Sequence, residues 1–410
     1  MWLTTTVVVI VSIVVCRGDV PYTKDTWLYP FCNRTGAYNE TIVCYNMFGI
    51  ISWWALHPLA FKYASNLDVV GTPGYITFLN PVSYNEMPNW IRIRVRNMNM
   101  FFLGYSSFYK LNNLEQIHLI NTGIRFIVNN AFIDLPKFTE LVMTGNRLTF
   151  FNYEIFYKCP SIKFLNFANN QISQTEDDVI DRFGTLGSIE YINFNNNRLN
   201  SSFKNHINNY IYYDGIRSLW YAHNKFTELR VGWFRRRPKL EVINFAYNEI
   251  EYIEENTFKD NPNLHTIVLS YNKLIDIPIQ MLPAKFYPNL KNLAMDHNLI
   301  MGLDTSENGP LRRLTNLKKI TLEGNPFYCS CLYEVHDQIN QYTDIQEVCR
   351  DTKGPEHSQD NCIEEGEKFK TPCHLIPPHE HQSNRDQFLQ DYNALPRSLD
   401  PMYCALEKFR

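Results

Sequence analysis

The chain has 410 residues, of which 45% are hydrophobic and 20% charged, and its formal net charge is −3. This balance gives no global reason to expect nucleic acid or an anionic membrane as a partner, so a partner has to be sought in local patches. The length would suit two or three globular domains, but a chain built by repetition makes length a poor guide to domain number.

Residues 1–18 are predicted to be a secretory signal peptide. A largely apolar run of 13 residues from Leu3 to Val15 is too short to span a bilayer, and small residues follow it before a cleavage point at Asp19. No later run of 18 apolar residues exists. The sequence therefore predicts a secreted, extracellular protein without a membrane span, in a compartment that favours disulfides.

Residues 19–69 are predicted to form an N-terminal cap. Cys32 and Cys44 enclose a polar loop that carries the glycosylation sequons of Asn33 and Asn39. A disulfide between the two cysteines would make a small loop in front of the first strand. Such a loop would shield the open edge of the following sheet.

A repeat fills residues 70–327. From Phe138 to Leu148, apolar residues stand at the first, fourth and sixth places, Asn at the ninth and an apolar residue at the eleventh. This period and pattern match the leucine-rich-repeat signature, in which each unit adds one strand to a parallel sheet. The Asn amide can pair with backbone groups that turn into the core. With the Asn place as the reference position, the series is Met98, Thr122, Asn146, Asn170, Asn197, Asn224, Asn248, Asn272, Asn298 and Asn325, in steps of 24 to 27 residues.

A second periodicity supports the first. Phe stands ten residues after the reference position of every 24-residue unit, at Phe108, Phe132, Phe156, Phe234 and Phe258. We expect these rings to pack the convex side, and we expect the run 175–184 of one longer unit to form a short convex helix. The predicted fold is an α/β solenoid. It is a leucine-rich-repeat horseshoe with a concave parallel sheet, convex loops and short helices, and disulfide-bearing caps.

The candidate binding surface is the concave side of this sheet. The second, fourth and sixth positions after each unit's first apolar residue face away from the core. Exposed aromatic residues beside amides are frequent binding anchors, although a wetted sheet also tolerates them without a ligand. The candidate binding residues are Arg92, Arg94, Arg96, Phe164, Tyr191, Asn193 and Trp220, with His223, Tyr247, Tyr271 and His297 in a column just before the Asn ladder.

The remaining chain gives little sign of catalysis. There is no phosphate-cradling Gly-rich loop, no H-E-x-x-H and no Gly-x-Ser-x-Gly elbow. His374, His379 and His381 lie close together in a Pro-broken segment, where a solvated loop is a better interpretation than a metal site. We therefore predict no enzyme, no cofactor and no bound metal. A third sequon begins at Asn200, and Cys159 is interpreted as a buried thiol.

Residues 328–374 form a predicted cysteine-rich C-terminal cap, and residues 375–410 form a polar tail. The cap begins with Cys329-Ser330-Cys331. This pair resembles the one that opens the cap of extracellular leucine-rich-repeat arrays, and spacing alone does not fix its partners. The resemblance implies that Cys329 pairs with Cys349. It also implies that Cys331 pairs with Cys362 or Cys373, and that the remaining cysteine joins Cys404.

Taken together, the signal peptide, the N-terminal loop, the repeats and the C-x-C cap resemble secreted leucine-rich-repeat proteins of invertebrates. The chain looks most like the leucine-rich immune proteins of mosquitoes, in a short form without a coiled coil. This resemblance implies recognition or scaffolding in humoral innate immunity, with the concave face binding a microbial surface or a complement-like thioester protein. It leaves the chain a monomer or weak oligomer. The alternative is a matrix or developmental protein that binds a receptor, because the repeat alone does not separate these functions.

Overall fold

The computed structural model describes residues 31–35, 41–47, 49–51, 64–71, 76–79, 82–83, 89–175, 187–201, 215–235, 237–282, 289–300, 310–322 and 324–325. The predicted signal peptide, Asn39, nearly all of the convex helix and every cysteine from Cys329 onward lie outside these residues. The chain divides into two compact units. Unit 1 comprises Met1–Arg198 with Asn209–Ile216, and unit 2 comprises Leu199–Asn208 with Arg217–Arg410.

The described residues of unit 1 contribute eight strands to a sheet that we call the main sheet. Its strands are β1 (Phe31–Thr35), β2 (Thr41–Met47), β3 (Asn66–Gly71), β4 (Arg92–Arg96), β5 (Gln116–Ile120), β6 (Glu140–Val142), β7 (Phe164–Asn166) and β8 (Tyr191–Asn193). β1 and β2 are antiparallel, and each later strand pairs parallel with the next. The register sets equivalent repeat positions side by side, so Glu140 lies between Gln116 and Phe164.

Unit 2 is built in the same way, and we use the name main sheet for its five described strands as well. They are β9 (Ser218–Trp220), β10 (Val242–Asn244), β11 (Thr266–Val268), β12 (Asn292–Ala294) and β13 (Lys319–Thr321). All pair parallel with their neighbours. Trp220 lies opposite Asn244 in this register, and Val268 opposite Ala294. The period of the sequence therefore maps directly onto strand order.

Shorter elements return the chain from one main-sheet strand to the next. The flank strands are Gly49–Ile51, Ile76–Leu79, Val82–Ser83, Asn99–Met100, Phe102–Leu103, Phe108–Tyr109, Phe126–Ile127, Phe132–Ile133, Phe150–Phe151, Phe156–Tyr157, Gln174–Thr175, Glu228–Leu229 and Tyr252–Ile253. Three 3-10 helices, Tyr153–Ile155, Val231–Phe234 and Ile279–Met281, and the one-turn α-helix Pro310–Arg313 complete the described elements. No helix among the described residues is long and apolar enough to cross a bilayer.

The first repeats differ from the sequence prediction in one respect. The stretch predicted as a repeat strand, Ile76–Leu79, belongs to a flank sheet with Gly49–Ile51 and Asn99–Met100. The main-sheet strand of that repeat is β3, which begins upstream of residue 70. Leu67 and Val69 alternate with partly exposed neighbours and are buried, which is the pattern that a half-buried strand requires.

The core confirms the predicted apolar trio. In one repeat of unit 2, Leu240, Ile243 and Phe245 are all fully buried, and the equivalent Leu264, Ile267 and Leu269 are at most 2% exposed. Each strand buries its inner face only against the neighbouring repeats. The array is therefore stable as an array and not as single repeats.

The eight reference asparagines are buried and form the predicted ladder. Asn248 illustrates the bonding. Its Oδ1 accepts from the Phe226 N–H at 3.1 Å, and its Nδ2 donates to the carbonyl oxygens of Tyr221 and Phe245, both at 3.0 Å. The amide thus satisfies buried backbone groups of two repeats, as a leucine could not.

The Phe spine is also confirmed, as a stack in each unit. In unit 1 the ring centroids of Phe108 and Phe132 lie 5.4 Å apart and nearly parallel, and those of Phe132 and Phe156 are equally close. In unit 2, Phe234 and Phe258 are 4.8 Å apart. All five rings are at most 2% exposed, so each fills the space behind its own strand.

The structure describes the side chains of two cysteines, Cys44 and Cys159, and the backbone of Cys32. Cys44 is buried and disulfide-bonded, and Cys32 is its register partner in the antiparallel pair of β1 and β2. Cys159 is a buried free thiol, as predicted, and burial raises its pKa to about 12.

Candidate functional site

The three arginines of the candidate binding surface lie in unit 1, and most of them bond to other residues of the protein. Arg96 forms an ion pair with Asp68 on β3, with Nη2 and Oδ2 3.1 Å apart, and a second bond from Nε makes it bidentate. Arg92 Nε donates to Gln116 Oε1 on β5. Arg94 lies between them with its Nε buried. Arg92 and Arg96 therefore lie on the predicted face but cross-link neighbouring strands.

One strand further along, His118 and Glu140 continue the same row. His118 Nε2 and Glu140 Oε1 are 3.0 Å apart. Burial lowers the pKa of His118, and the attraction of Glu140 only partly opposes this effect. The neighbouring arginines, Arg94 and Arg92, act in the same direction as burial.

The aromatic part of the strip in unit 1 consists of Phe164 and Tyr191. Their ring centroids lie 6.2 Å apart, and Tyr191 is 38% exposed. Asn193 differs from the prediction because it is buried, with its Oδ1 accepting the Asn195 N–H at 2.9 Å. Asn166 receives the Ala168 N–H in the same way. Asparagine on this face thus organises the local backbone, which explains its presence without a ligand.

The sheet face of unit 2 is tighter than the sequence suggests. Ala222, Ala246, Val268 and Ala294 lie on this face at outward positions, yet they are at most 4% exposed and form one apolar cluster. Trp220 is half-buried, and its Nε1 is inaccessible with no hydrogen-bond partner among the described residues. The small side chains leave a floor on which larger neighbours pack.

The larger neighbours are the column before the Asn ladder. His223, Tyr247, Tyr271 and His297 stack in sequence, with successive ring centroids 4.1 Å apart and interplanar angles of 10°, 9° and 7°. We call these four side chains the aromatic ladder. Each is half-buried, and Tyr247 packs against the alanine cluster.

All four ladder residues adopt positive φ, between 54° and 57°. Ordinary L-residues pay about 1–2 kcal/mol for this left-handed conformation. Three stacked pairs at about 0.5–1.5 kcal/mol each at best offset the cost for four residues. Ring stacking alone therefore does not explain aromatic residues here. In the other repeats this position holds the residue types that tolerate positive φ, namely Asn97, Asn121, Gly145, Asn169, Asn196 and Gly324.

A polar cluster ends the ladder at His297. Asp296 Oδ1 accepts from Ser270 Oγ and Thr321 Oγ1, both at 2.6 Å, and Oδ2 lies 3.2 Å from His297 Nδ1. His297 Nε2 lies 3.3 Å from the Tyr271 hydroxyl. Burial opposes the ionisation of Asp296, but the three hydrogen bonds outweigh it and lower its pKa. The last two rings are thereby locked in orientation.

Comparisons with known proteins agree with this geometry. A leucine rich repeat profile matches residues 215–274, and a BspA type leucine rich repeat profile matches residues 56–181 and 83–210. The chain is a leucine-rich-repeat protein. Human Toll-like receptor 8 is 32% identical over 84 residues, which are 20% of this chain and 8% of the receptor. The chain therefore spans a small part of that relative's length.

Solved structures share the leucine-rich-repeat fold at low identity. A chain of the mouse RP105/MD-1 complex superposes with a TM-score of 0.54 at 18% identity, over 75% of this chain and 54% of that one. The leucine-rich repeat domain of APL1B gives a TM-score of 0.49 at 17% identity, over 73% and 80%. These likenesses concern the fold.

The sequence correctly predicted which repeat positions lie on this face, but it did not predict which of their side chains contact one another. The structure brings His223, Tyr247 and Tyr271 together in one stack, with His297 as its last ring. Trp220 lies in the same unit, while the arginines, Phe164, Tyr191 and Asn193 belong to unit 1. Reasoning from sequence missed the anchoring role of Asp296, which the recurrence of Ser, Asp and Thr at outward positions of adjacent repeats could have suggested.

The third sequon can be examined in part. Asn200 is exposed and bridges to Lys225, and the following Ser201 is buried, where its Oγ accepts the N–H groups of Thr227 and Glu228. The exposed Asn200 side chain is compatible with glycosylation. Of Asn33 only the backbone is described, as part of β1.

Proposed function

We propose that this leucine-rich-repeat chain is a secreted recognition protein of humoral innate immunity. It binds a protein partner or a microbial surface through the outward face of the main sheet. The aromatic ladder of unit 2 is the principal contact. The observation that carries the proposal is the strained backbone of four aromatic residues at a position where the same chain elsewhere uses Asn or Gly. Backbone strain that ring stacking at best offsets is characteristic of functional sites.

The geometry of the ladder defines how a partner would meet it. Each ring face is covered by the next ring, so a partner would meet the ring edges. The Tyr247 hydroxyl oxygen is buried, and the Tyr271 hydroxyl and the His297 imidazole are engaged with each other. Ring edges carry partial positive charge. The surface therefore favours a ligand rich in acceptor oxygens, such as backbone carbonyls or carboxylates. Its rings are already ordered, which lowers the entropy cost of binding.

The immune part of the proposal is supported by the resemblance to the mosquito leucine-rich immune proteins and by the similarity to a Toll-like receptor. That resemblance makes a thioester-containing complement-like protein the first partner to test. Secretion is supported by the apolar segment at residues 1–18 and by the disulfide of Cys44.

The test compares the wild type with a double variant, Tyr247→Asn with Tyr271→Asn. Asparagine is the residue that the chain itself places at this position in unit 1, so the backbone should be retained. We expect binding to the thioester-containing protein or to bacterial cells, measured by surface plasmon resonance and by sedimentation with cells, to fall by about tenfold or more.

Tyr252→Thr is the matched control, because Tyr252 is 54% exposed but lies outside the ladder. Its affinity should equal that of the wild type. Binding that survives the double variant would contradict the ladder as the contact. Failure to bind either ligand, with binding to a receptor of developing tissue instead, would favour the developmental alternative.

A further inference from the structure

A second aromatic column lies on the flank of unit 1, four residues after the reference position. Phe102, Phe126 and Phe150 are 39%, 43% and 39% exposed, and Phe101 beside them is 48% exposed. The rings of Phe102 and Phe126 stack with centroids 5.4 Å apart and an interplanar angle of 6°. Phe101 meets Phe126 edge-on at 5.7 Å. Contiguous exposed rings of this kind mark interaction sites.

The charged residues within the stretches that carry this column have one sign. The Arg125 guanidinium lies over the Phe101 ring, 5.0 Å from its centroid, and Arg147 is exposed one repeat further on. The four equivalent stretches 99–103, 123–127, 147–151 and 171–175 contain no Asp or Glu. We call Phe101, Phe102, Phe126, Phe150, Arg125 and Arg147 the phenylalanine flank.

The repeat itself does not demand this composition. In the next repeat of unit 1 the column position holds Gln174, the register partner of Phe150. In unit 2 the same position holds Glu228, Tyr252 and Asp276. The fold therefore accepts polar and acidic residues here, so the run of phenylalanines with arginines reflects something other than folding.

An open groove adjoins the flank and indicates what kind of ligand fits. It encloses about 440 Å³ and is lined mainly by Asn97, Asn99, Asn121 and Arg147. Amide side chains both donate and accept hydrogen bonds, which matches a peptide backbone. The phosphate and ester oxygens of a lipid surface would occupy only the N–H donors of these amides, whereas a peptide backbone meets both the donors and the carbonyl acceptors.

We propose that the phenylalanine flank and its groove bind an acidic amphipathic segment of another protein. Apolar side chains of the segment pack on the three phenylalanines of the column, its carboxylates pair with Arg125 and Arg147, and its backbone meets the groove amides. Charge complementarity selects the segment, because cations without acids repel basic peptides. This contact is separate from the aromatic ladder, so each site is testable without the other.

The test selects short random peptides, displayed on phage, on the immobilised full chain. We expect enriched peptides to combine apolar residues with Asp or Glu. Their affinity should fall by about tenfold or more in Phe102→Gln with Phe126→Gln, and in Arg125→Gln with Arg147→Gln. Glutamine is the residue that this chain has at the equivalent position 174. An unchanged circular dichroism spectrum and thermal midpoint would confirm that the variants fold. Tyr252→Gln is the control and should bind like the wild type.

Four results would overturn the proposal. Enriched peptides could lack acidic residues or bind the phenylalanine variant as well as the wild type. Vesicles of phosphatidylserine could bind through the same residues while no peptide does, which would assign the flank to a membrane. Concentration-dependent self-association that disappears in the phenylalanine variant would assign it to a second copy of this chain.

Discussion

Replacing Asn248 by Ala tests whether the Asn ladder is structural. The side chain donates to the Tyr221, Phe245 and Ala246 carbonyls and accepts the Phe226 N–H. The first two carbonyls also accept from the neighbouring residues of the Asn ladder, Asn224 at 3.0 Å and Asn272 at 2.9 Å, and the Ala246 carbonyl accepts the His223 N–H at 2.9 Å. Only the Phe226 N–H, in a fully buried residue, would lose the bond that the structure shows for it.

The expected cost follows from this count. One buried backbone donor left without a partner costs about 1–3 kcal/mol, so Asn248→Ala should lower the free energy of unfolding by that amount. Asn146 accepts from two backbone N–H groups, those of Thr122 and Ile124, at 3.0 and 3.2 Å. Asn146→Ala should therefore cost about twice as much.

Urea unfolding followed by circular dichroism measures both variants, and hydrogen exchange at the Phe226 amide should show lost protection only in Asn248→Ala. Asn263→Ala is the control, because the Asn263 amide makes an exposed hydrogen bond to the Pro238 carbonyl. Its stability should change by less than about 0.5 kcal/mol. Equal stability of Asn248→Ala and the wild type, or a smaller loss in Asn146→Ala, would refute the reasoning.

Three further predictions concern single groups. The pKa of Asp296 is lowered in the fold, so its stabilisation is complete above the unfolded pKa of about 4 and is lost as the pH falls through the folded value. As the pH is lowered, the urea midpoint of Asp296→Asn should therefore fall less steeply than that of the wild type. Gly324 has a φ of +67°, and an added Cβ would lie 2.6 Å from the His297 ring. Gly324→Ala should therefore lower the free energy of unfolding in urea by about 1–3 kcal/mol. Gly187→Ala is the control and should be neutral, because no atom lies within 4 Å of its added Cβ. Cys159, with its pKa raised to about 12, should react with iodoacetamide at pH 8 only after unfolding, and native alkylation seen by mass spectrometry would contradict its burial.

The repeat could be predicted from sequence because its constraints are local and periodic. A buried apolar residue stands at the same places in every unit, and an Asn stands at the turn in eight of the ten, so the copies reinforce one another. The start of the array was harder, because β3 has no Asn at its end and the adjacent Ile76–Leu79 mimics a repeat strand. The ring stacking was not predictable in the same way. The stacking depends on the left-handed backbone that His223 and its equivalents share, and the identities of these residues do not predict that backbone conformation.

The two aromatic surfaces share one physical logic. A solenoid fixes the residues that face its core, and it leaves the position before each Asn and the flank position four residues later free to vary. At the first of these, Tyr247 and Tyr271 replace the Asn and Gly that the backbone prefers. At the second, Phe102 and Phe126 replace the Gln and Glu that other repeats of this chain accept. In both places the chain departs from the residue that folding favours, in consecutive repeats, and the departure produces a contiguous row of rings. A scattered set of such residues would be explained by tolerance, whereas a contiguous row offers a surface that a partner extending over several repeats would contact.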